Sequence, residues 1–118
     1  MRKPIHNPIF QDGDIPQDIQ NGDYTFVLGD AGRHKFHDSA SPHTYTIPSN
    51  ALVPFLVGAA ITIVNNSGSG TLTLAITSDT LRRGDGVAGT GSRTIPASAI
   101  ATIIKTKSTE WMIGGVFS

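Results

Sequence analysis

The chain has 118 residues, nine Lys and Arg against nine Asp and Glu, and no cysteine. That length suits one domain, and the lack of cysteine excludes disulfide staples, thiolate metal ligands and a cysteine nucleophile. Zero formal net charge removes the electrostatic footprint that a nucleic acid or an acidic membrane surface would require.

Charged residues make up 15% of the chain, below the roughly 25% of an ordinary domain, while 13 glycines and 7 prolines make it rich in turns. Between Ser39 and Ser78 there is no Asp, Glu, Lys or Arg. Ala51 to Val64 is nearly all apolar, yet it falls short of the ~20 residues of a spanning helix, and Pro54 and Gly58 interrupt it. Met1-Arg2-Lys3-Pro4 is a basic start with no apolar run behind it, so no secretory signal is expected.

Residues 1 to about 22 lack periodicity, and Pro4, Pro8 and Pro16 forbid a continuous helix there. Ile5, Ile9, Phe10, Ile15 and Ile19 are too many apolar groups for a solvated tail. The stretch is expected to be an extended arm, lying on its own domain or docking on a neighbouring subunit, with simple disorder as the third reading. Strand signals begin at Tyr24 and run through Leu28, ending at the turn Gly29-Asp30-Ala31-Gly32. His43 to Ile47 and Ala60 to Val64 follow, the latter stopped by the polar cluster Asn65 to Gly70. Thr71 to Ile76 alternates, with Leu72, Leu74 and Ile76 on one face. A glycine-rich loop, 84–91, precedes two last strands, Ala99 to Lys105 and Glu110 to Phe117. No segment shows helical spacing over three turns, although Ala51 to Phe55 and Pro96 to Ser98 have room for a single helical turn. Short strands separated by turn signals predict an all-β domain over residues 23–118, a sandwich or barrel, behind an arm of residues 1–22.

Gly84-Asp85-Gly86-Val87-Ala88-Gly89 matches G-x-G-x-x-G, but a dinucleotide site needs a helix after that turn and none follows. His34, His37 and His43, with Asp38, supply ligand types that zinc or nickel accepts. Residues three apart on a strand face opposite ways, so the expectation is solvated loop histidines and no metal. No G-x-S-x-G elbow occurs, and the few carboxylates lie mostly in turns, so neither a nucleophilic serine nor a glycosidase pair is predicted. No catalytic residue, cofactor or enzyme activity is expected. Arg82, Arg83 and Arg93 flank the glycine loop as a basic cluster, serving solubility or meeting carboxylates of a neighbouring subunit. Trp111 alternates with Ile113 and reads as core rather than as a sugar-stacking platform.

Thr44-Tyr45-Thr46-Ile47-Pro48-Ser49-Asn50, then Val57-Gly58-Ala59-Ala60-Ile61-Thr62-Ile63, resembles a small β-domain recurrent in tailed-phage virion proteins. Such domains open with an aromatic strand and a D-A-G turn, here Tyr24 to Leu28 and Asp30-Ala31-Gly32. They close with A-T-(I/L)-x-K and a tryptophan strand, here Ala101 to Lys105 and Trp111 to Gly115. The resemblance covers about residues 23–118 and rests on strand and turn punctuation, so it offers no catalytic residues. It implies an antiparallel β-sandwich of jelly-roll type in a capsid decoration (cement), head-fibre or tail-fibre protein. A chain running from Met1 to Ser118 is expected to suit decoration better than a fibre with a shaft. The function expected is an accessory protein on the capsid surface of the virion that stabilises the head lattice; the alternative is a tail-fibre module contacting host glycan. Its expected partners are the major capsid protein and copies of itself, a trimer favoured over a dimer. Arg2, Lys3, Ile5, Ile9, Phe10, Ile15 and Ile19 of the arm, and Arg82, Arg83 and Arg93 of the loop, are the expected contact residues.

Overall fold

The computed structural model of the chain describes residues 13–118. Among them are ten strands and one short 3-10 turn, Leu28–Asp30. A six-stranded sheet holds, in order, β1 (Gln17–Ile19), β3 (His34–His37), β5 (Ala60–Asn65), β9 (Ala99–Lys107), β10 (Glu110–Gly115) and β7 (Thr80–Arg83). A four-stranded sheet holds β2 (Tyr24–Thr25), β4 (His43–Ile47), β6 (Leu72–Ile76) and β8 (Arg93–Ile95). The all-β expectation is met.

Period-two alternation places the apolar groups. Ile61 and Ile63 of β5, Ala101 and Ile103 of β9, and Trp111 and Ile113 of β10 face inward from the larger sheet. Tyr45, Ile47, Leu72, Leu74 and Ile95 face inward from the smaller one, and all these groups join a single buried cluster. Tyr24, Phe26 and Tyr45 meet edge to face, with ring centroids 5.9–6.2 Å apart. Fully burying one such side chain contributes about 1.5–3 kcal/mol.

From β1 to β6 the chain crosses to the other sheet at every step. Each strand therefore lies parallel to the one two places earlier: β1 with β3, β3 with β5, β2 with β4, and β4 with β6. β7 and β10 are parallel too, whereas β5–β9, β9–β10 and β6–β8 are antiparallel. The antiparallel pairing expected from the sequence thus gives way to two mixed sheets. Crossing between layers, rather than turning back within one, is the physical cause.

Four strands, β1, β3, β7 and β8, went unpredicted. β3 and β7 carry His34-Lys35-Phe36-His37 and Thr80-Leu81-Arg82-Arg83, in which charge masks the alternation. β1 lies inside the stretch expected as arm, so sheet structure begins before residue 22. The predicted strand at Tyr24 is only two residues long, because the 3-10 turn begins at Leu28. The backbone N–H of Val27 donates to Asp30 Oδ2 at 2.8 Å and closes that turn. In the segment Ala51 to Phe55, where the sequence left room for a helical turn, the Val53 N–H bonds the Ser49 carbonyl at 2.9 Å.

Candidate functional site

Among the described residues, three polar networks lie inside the molecule. The register of β1 on β3 puts Asp18 beside Lys35, and the 3-10 turn brings Asp30 to the same ammonium. Lys35 Nζ stands 2.6 Å from Asp30 Oδ1 and 3.1 Å from Asp18 Oδ2, and it lies over the Tyr24 ring at 4.5 Å. Tyr24 Oη donates to Asp30 Oδ2 at 2.8 Å. Burial disfavours charge on Lys35, but hydrogen bonds to Asp30, Asp18 and Tyr24 outweigh it and hold the ammonium above its usual range. Desolvation, then the Asp30 partner, pushes the Tyr24 phenol up.

The second network corrects the reading of solvated histidines. His37 is 0% exposed. Its Nδ1 lies 2.9 Å from Asn65 Oδ1 and its Nε2 lies 3.0 Å from His43 Nδ1. Asn65 Nδ2 donates to the carbonyls of Gly70 and Pro96, which leaves its Oδ1 to accept from His37. His34 stands across the strand on the outer face, as three-residue spacing requires, where it meets Gln17 and the Ile15 carbonyl. The three rings therefore do not converge on one point. In the third network Lys105 Nζ, also buried, donates to Asn50 Oδ1 at 2.6 Å and to the Phe55 carbonyl at 2.8 Å. Each network ties separate elements together through internal partners.

The glycine loop has a structural task. Arg83 N–H bonds the Gly89 carbonyl, Gly91 N–H bonds the Leu81 carbonyl, and Arg82 bridges to Thr90. The loop thereby folds back along β7 and covers the free edge of the six-stranded sheet, the usual protection against stray pairing. Gly84 N–H reaches the Ile113 carbonyl at 2.8 Å, so close that a Cβ there would stand 2.6 Å from that oxygen. Among the arginines expected as partner contacts, Arg82 pairs with Glu110 at 3.1 Å and Arg83 with Asp85 at 2.6 Å. Arg93 Nη2 donates to the Thr90 carbonyl, while its Nε has no partner. The Arg83 guanidinium holds the Asp85 carboxyl below its ordinary range, and Arg82 does the same for Glu110. On the smaller sheet Thr94 and Ser118 exchange backbone hydrogen bonds at 2.9 Å, which covers β8.

Two exposed apolar surfaces stand apart from these networks. The register aligns Ile19, Phe36, Val64 and Ile100 in one row across the outer face of the six-stranded sheet. A second row runs Ala60, Ile104, Met112 and Arg82. Ile19 is 63% and Ile100 55% exposed, and Thr62 and Thr102 pair between the rows at 3.0 Å. Among the described residues of the two rows the one ionised group, Arg82, is paired with Glu110. The second surface is a groove of about 640 Å³ between Leu28, Ala31 and the segment 54–59. Leu56 on its rim is 82% exposed. Sequence reasoning missed both surfaces; the uncharged run from Ser39 to Ser78 was the signal that could have found the groove.

Of the arm residues expected as contacts, Arg2, Lys3, Ile5, Ile9 and Phe10 lie outside the described residues. Ile15 and Ile19 are described, and both are exposed. Trp111 is 1% exposed against Phe55, ring centroids 5.3 Å apart, so its indole is core as the alternation predicted. No protein-family model matches the chain, and no curated protein sequence is similar to it.

Proposed function

We propose that the chain is a structural protein of a tailed-phage virion, an accessory capsid protein that binds the head lattice and reinforces it. The observation that carries this reading is the outer face of the six-stranded sheet. Ile19 of β1 and Ile100 and Ile104 of β9 are exposed there, Phe36 and Val64 of β3 and β5 continue the row between Ile19 and Ile100, and no unpaired charge lies among the described residues of the two rows. A contiguous apolar face of this kind marks a surface that another protein covers. The strand and turn motifs quoted above supply the phage context.

In this reading the partners are the major capsid protein and further copies of the chain, with a trimer on a local threefold axis. In the same reading Arg2 and Lys3 of the arm would meet carboxylates on those partners. Two sheets sharing one buried cluster support the sandwich part of the expected fold. The parallel winding from β1 to β6 speaks against its jelly-roll part. The glycan-binding alternative loses its stacking platform with Trp111 buried.

The test uses particles stripped of the protein. Wild-type chain added back should rebind and raise particle resistance to heat or chelation. Changing Ile100→Asp and Ile104→Asp together should leave the fold intact and weaken rebinding at least about tenfold. Unchanged rebinding would remove the sheet face from the contact; no rebinding by wild type would remove the capsid reading itself.

A further inference from the structure

We infer that the groove between Leu28, Ala31 and segment 54–59 is the seat of the chain's own arm, filled by Ile5, Ile9 and Phe10. The groove is apolar, open and rimmed by Leu28, Leu56 and Val57, which expose 55%, 82% and 63% of their surface. Its volume of about 640 Å³ falls in the range of pockets that enclose a ligand of several side chains.

The occupant follows from where the described residues begin. β1, β3 and β5 run parallel and side by side, so their first residues lie along one end of the sheet. At that end Pro16 accepts from the His34 N–H at 2.9 Å, and Ile15 offers its carbonyl to the His34 ring. Gly32, next to the groove residue Ala31, donates to the Ala60 carbonyl at 2.8 Å, and Ala60 follows the groove residue Ala59. The chain preceding β1 therefore enters at the end of the sheet that carries the groove, two strands away. Two strand spacings amount to about 10 Å, and three extended residues from Gly13 back to Phe10 span about the same distance. Gly13 has φ +92°, a left-handed bend that lets the chain turn sideways there.

The chemistry matches as well as the reach. Ile9 and Phe10 are adjacent large apolar groups, Ile5 lies one further stretch along, and Pro4 and Pro8 restrict the segment before it docks. A tethered segment competes for a nearby groove at an effective concentration near millimolar, which favours its own groove over that of a second copy. This inference is independent of the capsid reading, and it leaves the outer sheet face as the surface free for partners.

Because the chain has no cysteine, a pair introduced into the full-length protein reports contact directly. Ile9→Cys with Val57→Cys, the latter exposed on the groove rim, should oxidise to an intrachain disulfide at least about tenfold faster than Ile9→Cys with Thr73→Cys on the smaller sheet. On a non-reducing gel the product should run as monomer. Equal rates for the two pairs would overturn the inference, and so would a product that runs as a covalent dimer, which would assign the groove to a neighbour's arm. Chymotrypsin supplies a second reading, since Phe10 is its cleavage site in the arm. Leu56→Asp should speed that cut about tenfold relative to wild type, and identical cutting rates would also overturn the docking.

Discussion

Lys35 shows how a charge is kept inside this molecule. Its ammonium is buried, yet Asp30, Asp18 and the Tyr24 hydroxyl surround it, and the pair with Asp30 is itself shielded from water. Removing one partner of such a pair leaves the other charge desolvated and alone. Lys35→Met should accordingly lower stability by about 3–5 kcal/mol in urea unfolding. The same region governs behaviour in alkali. Tyr45, desolvated and donating to the Gln20 carbonyl at 2.5 Å, Tyr24 and Lys35 all hold their protons more tightly folded than unfolded. Unfolded tyrosine and lysine release theirs near pH 10, so above that pH the unfolded state binds fewer protons and the fold loses stability as pH rises. The urea midpoint should be flat from pH 8 to about 9.5 and then fall; Tyr45→Phe should make that fall shallower.

At the level of elements, the loop 84–91 matters because it closes a sheet edge. Its glycines serve backbone approach: Gly84 touches the end of β10, and Gly86 has φ +85°. Gly84→Ala places a methyl group against a backbone carbonyl that cannot retreat without disturbing β10. The expected loss is about 1–3 kcal/mol, with increased self-association at rest as β7 is uncovered, readable by light scattering. Pairing of Arg82 with Glu110 and of Arg83 with Asp85 is exposed and contributes little by itself. Those pairs orient the loop rather than anchor it.

Across the whole molecule, one core joins both sheets, and within it Trp111 packs against Phe55. Trp111→Ala should cost about 3–5 kcal/mol and abolish the cooperative transition in a marginal background. That same contact couples the core to the groove wall, since Phe55 lines both. The outer sheet face lies apart from the core, so charge placed at Ile100 and Ile104 should change assembly and leave unfolding within about 0.5 kcal/mol per site. If the trimer proposal is right, sedimentation of wild type should show a concentration-dependent shift to three times the monomer mass, and the double aspartate variant should stay monomeric.

What could be read from the sequence was local. Alternation identified β4, β5, β6, β9 and β10 within two residues at their ends, and it marked Leu72, Leu74, Trp111 and Ile113 as core. The lack of a helix after the glycine loop at Gly84 was likewise readable from its flanks. Only the tertiary structure decided where each strand went. A cluster such as Asn65 to Gly70 ends a strand equally well whether the chain returns to its own sheet or crosses to the other, and here it crosses. Buried polar groups were hidden for the same reason: Lys35 and His37 look like solvent-facing residues until Asp30, 5 residues away from Lys35, and Asn65, 28 residues from His37, come to meet them. Pattern along the chain records which side chains avoid water, whereas partnership between distant polar groups exists only once the layers are assembled.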